Sequence, residues 1–305
     1  MAMCQLFLIV STLAVFAVGC PILGYGFLAL LQLSLPRVSV LVPLFIASVI
    51  SAVLLLSVYT ISQNTPVPKW RPRSTPVHLM VVLGSGGHTA EMISLLRRVD
   101  IVTSKYIYRT YIVSSGDNFS ATKALEFESS LGAQPESYAI ITVPRARRVH
   151  QSYLTAPFTT ILSFWSCILV LCGCHPDQQR HKRPAQLTSP YPDLILTNGP
   201  ATAVCVILAA RILRLAAYCL NFLSLAKSRR QSMTGKTASG EAPPPGEFRL
   251  RTVFVESWAR VKTLSLSGKI LLPFADRFLV QWPTLEGKRA WWGMRKTEYV
   301  AGLMD

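Results

Sequence analysis

The nine residues Gly84-Ser-Gly-Gly-His-Thr-Ala-Glu-Met92 follow the apolar run His78-Leu-Met-Val-Val-Leu83 without a gap. A buried strand that feeds a glycine turn and then a helix leaves backbone N–H groups without intrahelical partners, pointing at one spot that attracts anions. Glycines 84, 86 and 87 permit positive φ and close approach of a ligand, and Thr89 is placed to cap a helix over 90–98. The ligand that fits is a phosphate or pyrophosphate, held by Gly84, Ser85, Gly86, Gly87 and Thr89. A plain tight turn is the rival reading of the same residues.

Two familiar phosphate loops are excluded. A dinucleotide fingerprint needs a third glycine where Thr89 stands, and the next apolar run, 106–113, ends in Ser114-Ser115 without a ribose-binding acid. No lysine follows the glycines, so this is not a Walker loop.

The elements that must position the loop are strands and helices in alternation. Strands are expected near 77–83, 106–114, 138–143, 193–197, 251–255 and 277–281. Helices are expected over 89–98, 119–131, 200–215 and 257–266, with a short one after Pro283. This order predicts an α/β, Rossmann-like parallel sheet with helices on both faces, and such sheets bind ligands beyond the carboxyl ends of their strands. Three more polar clusters fall at those ends: Arg145, Arg147 and Arg148 with His150; Thr197-Asn198-Gly199; and Glu256-Ser257.

The chain divides by composition. Residues 6–35 are almost uncharged and 38–61 wholly so, each long enough for the roughly 20 residues a membrane-crossing helix needs. The expected organisation is therefore an N-terminal membrane anchor over 1–65, a linker over 66–76 and an α/β domain over 77–305. A cleaved signal peptide is a poorer fit to the first segment, because no Lys or Arg precedes it. Lys69, Arg71 and Arg73 follow the second segment, so the positive-inside rule puts the domain in the cytosol. The uncharged run 153–174 has the hydropathy of a third span. A single crossing there would put strands of one sheet on opposite sides of the bilayer, so a helix in the membrane interface is expected, with a buried core helix as the alternative. Residues 224–249, with Lys227, Arg229, Arg230 and Pro243-Pro-Pro245, read as a loosely ordered insertion.

The net charge of +16 suits nucleic acid, an anionic membrane face or a phosphorylated substrate. No nucleic-acid recognition motif is present, and the apolar segments favour the last two. The seven cysteines form no paired framework, and Cys172-Gly-Cys174-His175 lacks a second pair at ligand spacing, so neither disulfides nor a metal site are expected.

Together, Val82-Leu-Gly-Ser-Gly-Gly-His-Thr-Ala-Glu-Met92, Pro144-Arg-Ala-Arg147 with Gln151-Ser152, 193–200 and Val255-Glu-Ser257 resemble one family. It is the asparagine-linked glycosylation protein 14 family, the membrane-anchoring subunit of the UDP-N-acetylglucosamine transferase of dolichol-linked oligosaccharide synthesis. The resemblance implies the acceptor half of a GT-B glycosyltransferase. It further implies a separate soluble catalytic subunit that grips the UDP-sugar and whose contact includes Trp291–Asp305, with Tyr299, Val300 and Leu303. The implied reaction moves N-acetylglucosamine from UDP-N-acetylglucosamine to N-acetylglucosamine-pyrophosphoryl-dolichol at the cytosolic face of the endoplasmic reticulum membrane, without a cofactor. A presence in the nuclear envelope and a contact with the preceding enzyme of the dolichol pathway are left open.

On this reading the N–H groups of Gly86, Gly87 and His88 hold the acceptor pyrophosphate, with charge from Arg145 or Arg148. His88 or Glu91 is the general base, or Glu91 orients His88; a histidine that merely closes the loop is the alternative. Asn198 and Gly199 line the acceptor sugar, or form a turn in which Asn198 caps the next helix. Glu256 faces the cleft or pairs with Arg260. A pure membrane scaffold and a self-sufficient transferase are the competing functions; the single Rossmann-like domain opposes the second.

Overall fold

Leu79, Met80, Val81 and Val82 put apolar groups on both sides of one extended backbone, so the strand they form has to be covered on both faces. The computed structural model describes residues 46–51, 76–99, 106–147, 151–152, 155–181, 183–187, 189–199, 201–232 and 250–301. In chain order the elements are β1 (His78–Val82), α1 (Gly87–Arg98), β2 (Tyr108–Ser114), α2 (Asn118–Ser130), β3 (Tyr138–Val143), α3 (Ala156–Leu171), α4 (Pro176–Gln179), β4 (Leu194–Asn198), α5 (Ala201–Ser232), β5 (Arg251–Val255), α6 (Leu266–Leu271), β6 (Arg277–Val280) and β7 (Glu298–Tyr299), with 3₁₀ turns at Pro135–Ser137 and Pro283–Leu285.

The strands form one parallel sheet ordered β3-β2-β1-β4-β5-β6-β7, so the expected α/β, Rossmann-like class is borne out. Successive side chains point to opposite faces, and the core divides accordingly. Leu79, Val81, Leu83, Tyr111, Val113 and Val255 pack with Met92 and Leu96 of α1 and Phe127 of α2. Phe254, Phe278 and Val280 pack on the other face with Ala203 and Ile207 of α5 and Leu271 of α6, where the Phe254 and Phe278 rings lie 4.9 Å apart. Helices thus cover both faces.

The chain divides into two compact units, 1–67 and 68–305. Of the first, residues 46–51 are described; they are helical, with Ile46, Val49 and Ile50 exposed. The segment 6–35, the rest of 38–61 and the linker up to residue 75 lie outside the described residues.

Two expectations are corrected and one strand is added. The helix over 257–266 does not form: the Glu256 carboxylate accepts bonds from Ser257 N, Ser265 N and Ser265 Oγ at 3.0–3.1 Å, folding the intervening residues into a loop, and the helix starts at Leu266. The helix expected to stop at 215 runs to Ser232, so the first part of the segment 224–249 is helical; 233–249 lies outside the described residues. The two-residue strand β7 is too short to give an apolar pattern, yet it pairs with β6.

The apolar run 153–174 forms α3. By length and composition Ala156–Gln179 is able to cross a membrane. Yet β3 before it and β4 after it belong to one sheet. Buried Ser163, Cys167, Val170 and Leu171 face the fold, whereas Phe158, Ile161, Leu162 and Trp165 are exposed.

Candidate functional site

The strand order reverses between β1 and β4, the place where open parallel sheets bind ligands. Both of these strands run into a glycine, Gly84 two residues after β1 and Gly199 directly after β4. Gly84 is packed so closely that a Cβ would lie 2.7 Å from His88 Cβ, and a Cβ on Gly199, at φ +92°, would meet the His88 ring at 3.1–3.3 Å. The two glycines therefore make a seat for the imidazole. Gly84 itself needs no positive φ; Gly86 does, at φ +63°.

From Gly86 the chain turns into α1. Asp117 and Ser265 close the N-termini of α2 and α6 with their own side chains, while α1, like α3, carries no side-chain cap. Ser85, Gly86 and Gly87 are exposed, and a Cβ at Gly86 or Gly87 would meet nothing within 4 Å. The α1 N-terminus, with its partial positive charge, thus faces open space.

Thr89 does not cap that helix. It stands inside the first turn, fully buried, where its hydroxyl donates to the Gly84 carbonyl and meets Ser120 Oγ at 2.6 Å. Its work is to hold the glycine turn against α2, because a short hydroxyl inside the first turn reaches back to the strand end.

One helical turn along, Glu91 is fastened from two strands. Asn198 Nδ2 donates to Glu91 Oε2 at 2.7 Å, and Ser257 Oγ donates to Oε1 at 2.9 Å. His88 Nδ1 lies 3.6 Å from Oε2, too long for a hydrogen bond and within ion-pair range. Burial alone pushes the Glu91 carboxyl up, but the contacts from His88, Asn198 and Ser257 together outweigh it and hold the group below its ordinary value. Glu91 is therefore ionised at neutral pH. His88 Nδ1 and Asn198 Oδ1 are buried without a hydrogen-bond partner.

The remaining expected residues fall into three places. Glu256 is buried and both its carboxylate oxygens are taken by Ser257 and Ser265 of its own loop, so it makes no ion pair with Arg260 and presents no free carboxylate oxygen to the cleft. Arg145 stands at the end of β3, with β2 between it and β1; its N–H donates to Ser115 Oγ at 3.2 Å. The adjoining Ala146 carbonyl accepts from Thr159 and Thr160 of α3 at 2.8 and 3.1 Å, tying the basic loop to the apolar helix. Arg148 and Leu303 lie outside the described residues. Tyr299 is exposed on β7, and Val300 N–H donates to the Val280 carbonyl at 3.1 Å.

The family model described as "Oligosaccharide biosynthesis protein Alg14 like" matches residues 79–303. The chain belongs to the Alg14 family. It is 58% identical over 232 residues to "UDP-N-acetylglucosamine transferase subunit alg14" of Aspergillus fumigatus, covering 70% of this chain and 100% of that one. The Schizosaccharomyces pombe protein of the same name is 39% identical over 225 residues, 73% of this chain and 81% of that one. The corresponding Mus musculus subunit is 36% identical over 224 residues, 71% of this chain and 80% of that one. No solved structure matches the chain.

The Alg14-family resemblance read from the motifs is thus borne out. What sequence reasoning missed is Ser257 as a partner of Glu91. The residues are 166 positions apart, and the only signal was that Ser257 stands just past the end of a strand, two residues beyond β5 as Gly84 is beyond β1.

Proposed function

We propose that this chain is the acceptor-binding, membrane-anchoring subunit of a heteromeric UDP-N-acetylglucosamine transferase, built as the acceptor half of a GT-B enzyme. The observation that carries the reading is the uncapped N-terminus of α1 at the β1/β4 crossing, opening on free space with His88 seated beside it. The names of the relatives supply the donor sugar nucleotide and the word subunit.

The acceptor is N-acetylglucosamine-pyrophosphoryl-dolichol. Its pyrophosphate rests on the N–H groups of Gly86, Gly87 and His88, where aligned backbone dipoles favour negative charge, and Arg145 adds charge from the edge of the sheet. The acceptor 4-hydroxyl oxygen attacks the anomeric carbon of the donor sugar, and the bond from that carbon to the UDP oxygen breaks. UDP leaves with the electron pair, and the hydroxyl proton passes to His88. No cofactor enters this balance. Asn198 holds the Glu91 carboxylate and Gly199 lies under the His88 ring, so both act on the acceptor sugar through the groups they support.

A lipid-linked acceptor requires the site to stand at a membrane. The exposed Phe158, Ile161, Leu162 and Trp165 of α3 lie in the interface, next to the basic loop pinned to that helix. The membrane is that of the endoplasmic reticulum, with this domain on the cytosolic face. A soluble donor-binding subunit completes the enzyme and docks on the C-terminal stretch that includes Tyr299, Val300 and Leu303, beside the open edge of β7.

The test is to purify the chain with and without the donor-binding subunit and assay transfer to a short-chain pyrophosphoryl acceptor. Activity of the pair and none of either part is expected; transfer by this chain alone refutes the half-enzyme reading. Unimpaired transfer by a His88→Gln complex would reduce the chain to a scaffold.

A further inference from the structure

Glu91 belongs to α1, yet the two groups that bind it come from elsewhere: Asn198 ends β4 and Ser257 follows β5. Each carboxylate oxygen accepts one of these bonds, at 2.7 and 2.9 Å. A carboxylate engaged on both oxygens and held ionised is a poor proton acceptor, since protonation would cost both contacts. It is well suited to hold a neighbouring N–H. The neighbour is His88 Nδ1, 3.6 Å from Oε2 and buried, whereas the His88 side chain as a whole is one-third exposed. The exposed part of the ring is therefore its other edge, which includes Nε2.

We propose that Ser257 is a positioning residue for His88: with Asn198 it fixes the Glu91 carboxylate against Nδ1, so that the imidazole carries its proton on Nδ1 and presents the Nε2 lone pair toward the open loop. The assignment rests on the acceptor-site reading above, and within that reading it decides between the two candidate bases in favour of His88. The seat made by Gly84 and Gly199 limits the ring to one position, and the clamp on Glu91 selects one tautomer there. The relation is that of a histidine base oriented by a carboxylate that never takes the proton. The new part is the third layer, a serine hydroxyl from the loop after β5 that holds the carboxylate.

The tautomer is measurable without any catalysis. In the ¹⁵N-histidine-labelled full chain, at a pH where the ring is neutral, the His88 signal is identified by its loss in His88→Gln. The wild type is expected in the Nδ1–H form, the opposite of the preference of free imidazole side chains. Glu91→Gln and Ser257→Ala shift the ring toward Nε2–H, and Ser257→Thr, which keeps a hydroxyl, restores the wild-type form. An Nε2–H ring in the wild type overturns the proposal, as does an unchanged Nδ1–H population in folded Ser257→Ala. Should Ser257→Ala fail to fold, the wild type and Glu91→Gln still decide.

In the complex with the donor-binding subunit, Ser257→Ala is expected to lower kcat on the order of tenfold with the acceptor KM unchanged, the scale of one lost charge-assisted hydrogen bond, and Ser257→Thr to recover it. A wild-type complex without transferase activity sinks the function proposed above, while the tautomer still settles whether Ser257 positions His88. The two failures are thus distinct.

Discussion

His78 and His88 stand at opposite ends of β1, and they have opposite fates. His78 is buried under Tyr108, with Nε2 2.8 Å from Thr110 Oγ1, and its burial, helped by the Arg183 charge, lowers its pKa to about 3. It stays neutral through the physiological range. His88 sits over two glycines with an exposed edge and an ionised carboxylate at its back. The carboxylates repeat the contrast. Glu128, at the amino-terminal end of the sheet, accepts two bonds from Arg109 at 2.7 Å and one from Tyr111 at 2.5 Å, and nothing of it reaches solvent. Glu91, at the carboxyl end, is held by neutral donors and keeps a small exposed part. Charge at one end of the sheet is spent on internal pairing; at the other it is held ready beside open space.

Removing charge from the paired end has the largest expected effect. Glu128→Ala strands the Arg109 guanidinium among buried groups, and breaking such a pair costs about 3–5 kcal/mol. Chemical denaturation of the purified chain measures it. A loss below about 1 kcal/mol would mean that the buried pair is replaced by water and that the contrast between the ends is false.

His88→Gln is the mirror experiment. Loss of a general base typically lowers the rate by about 10²–10⁴, so transfer by the two-subunit complex falls on that scale while the denaturation midpoint of the chain stays within about 0.5 kcal/mol. A variant that loses activity and stability together would place His88 among the structural residues with His78.

These fates are only partly legible in the sequence. Alternation of apolar runs with helical patterns predicts the sheet because buried parallel strands are largely apolar, and β1 to β6 all fall on the expected runs. The strand-turn-helix around Gly84 is legible in the same way, and the helix N-terminus it leaves uncapped faces open space. The pattern fails where tertiary bonds decide. Thr89 has the residue type of a cap, yet its hydroxyl is taken by Gly84 and Ser120. Glu256 stands at a strand end like the site residues, yet it organises its own loop and displaces a helix start by several residues. Local pattern shows where a side chain begins; only packing against distant segments shows where its polar atoms end.

The pH dependence of stability sharpens the histidine contrast. A depressed folded pKa gives stability that is full above the unfolded value and declines as pH falls toward the folded one. His78 therefore contributes a loss between pH 6.5 and about 3, on the order of 1.4 kcal/mol per pH unit. Comparing the stability–pH slope of the wild type with that of His78→Gln isolates this contribution; equal slopes would show that His78 takes up its proton in the folded state.

The smallest effect concerns the glycines and separates two reasons for having one. At Gly86 and Gly87 a methyl group would meet nothing, so space does not distinguish them. Backbone does: Gly86 stands at φ +63°, ψ −122°, whereas Gly87 has no positive φ, and this mirror-image β conformation, open to glycine, costs an L-residue about 1–3 kcal/mol. Gly86→Ala is therefore expected to lower stability by about 1 kcal/mol, whereas Gly87→Ala, inside a helix, leaves it unchanged or slightly raised. Both methyl groups project into the space assigned to the pyrophosphate, so both variants should raise the acceptor KM, including the one that costs no stability. A Gly87→Ala complex with an unaltered acceptor KM would move the pyrophosphate off the N-terminus of α1 and break the contrast between the two ends of the sheet at its open end.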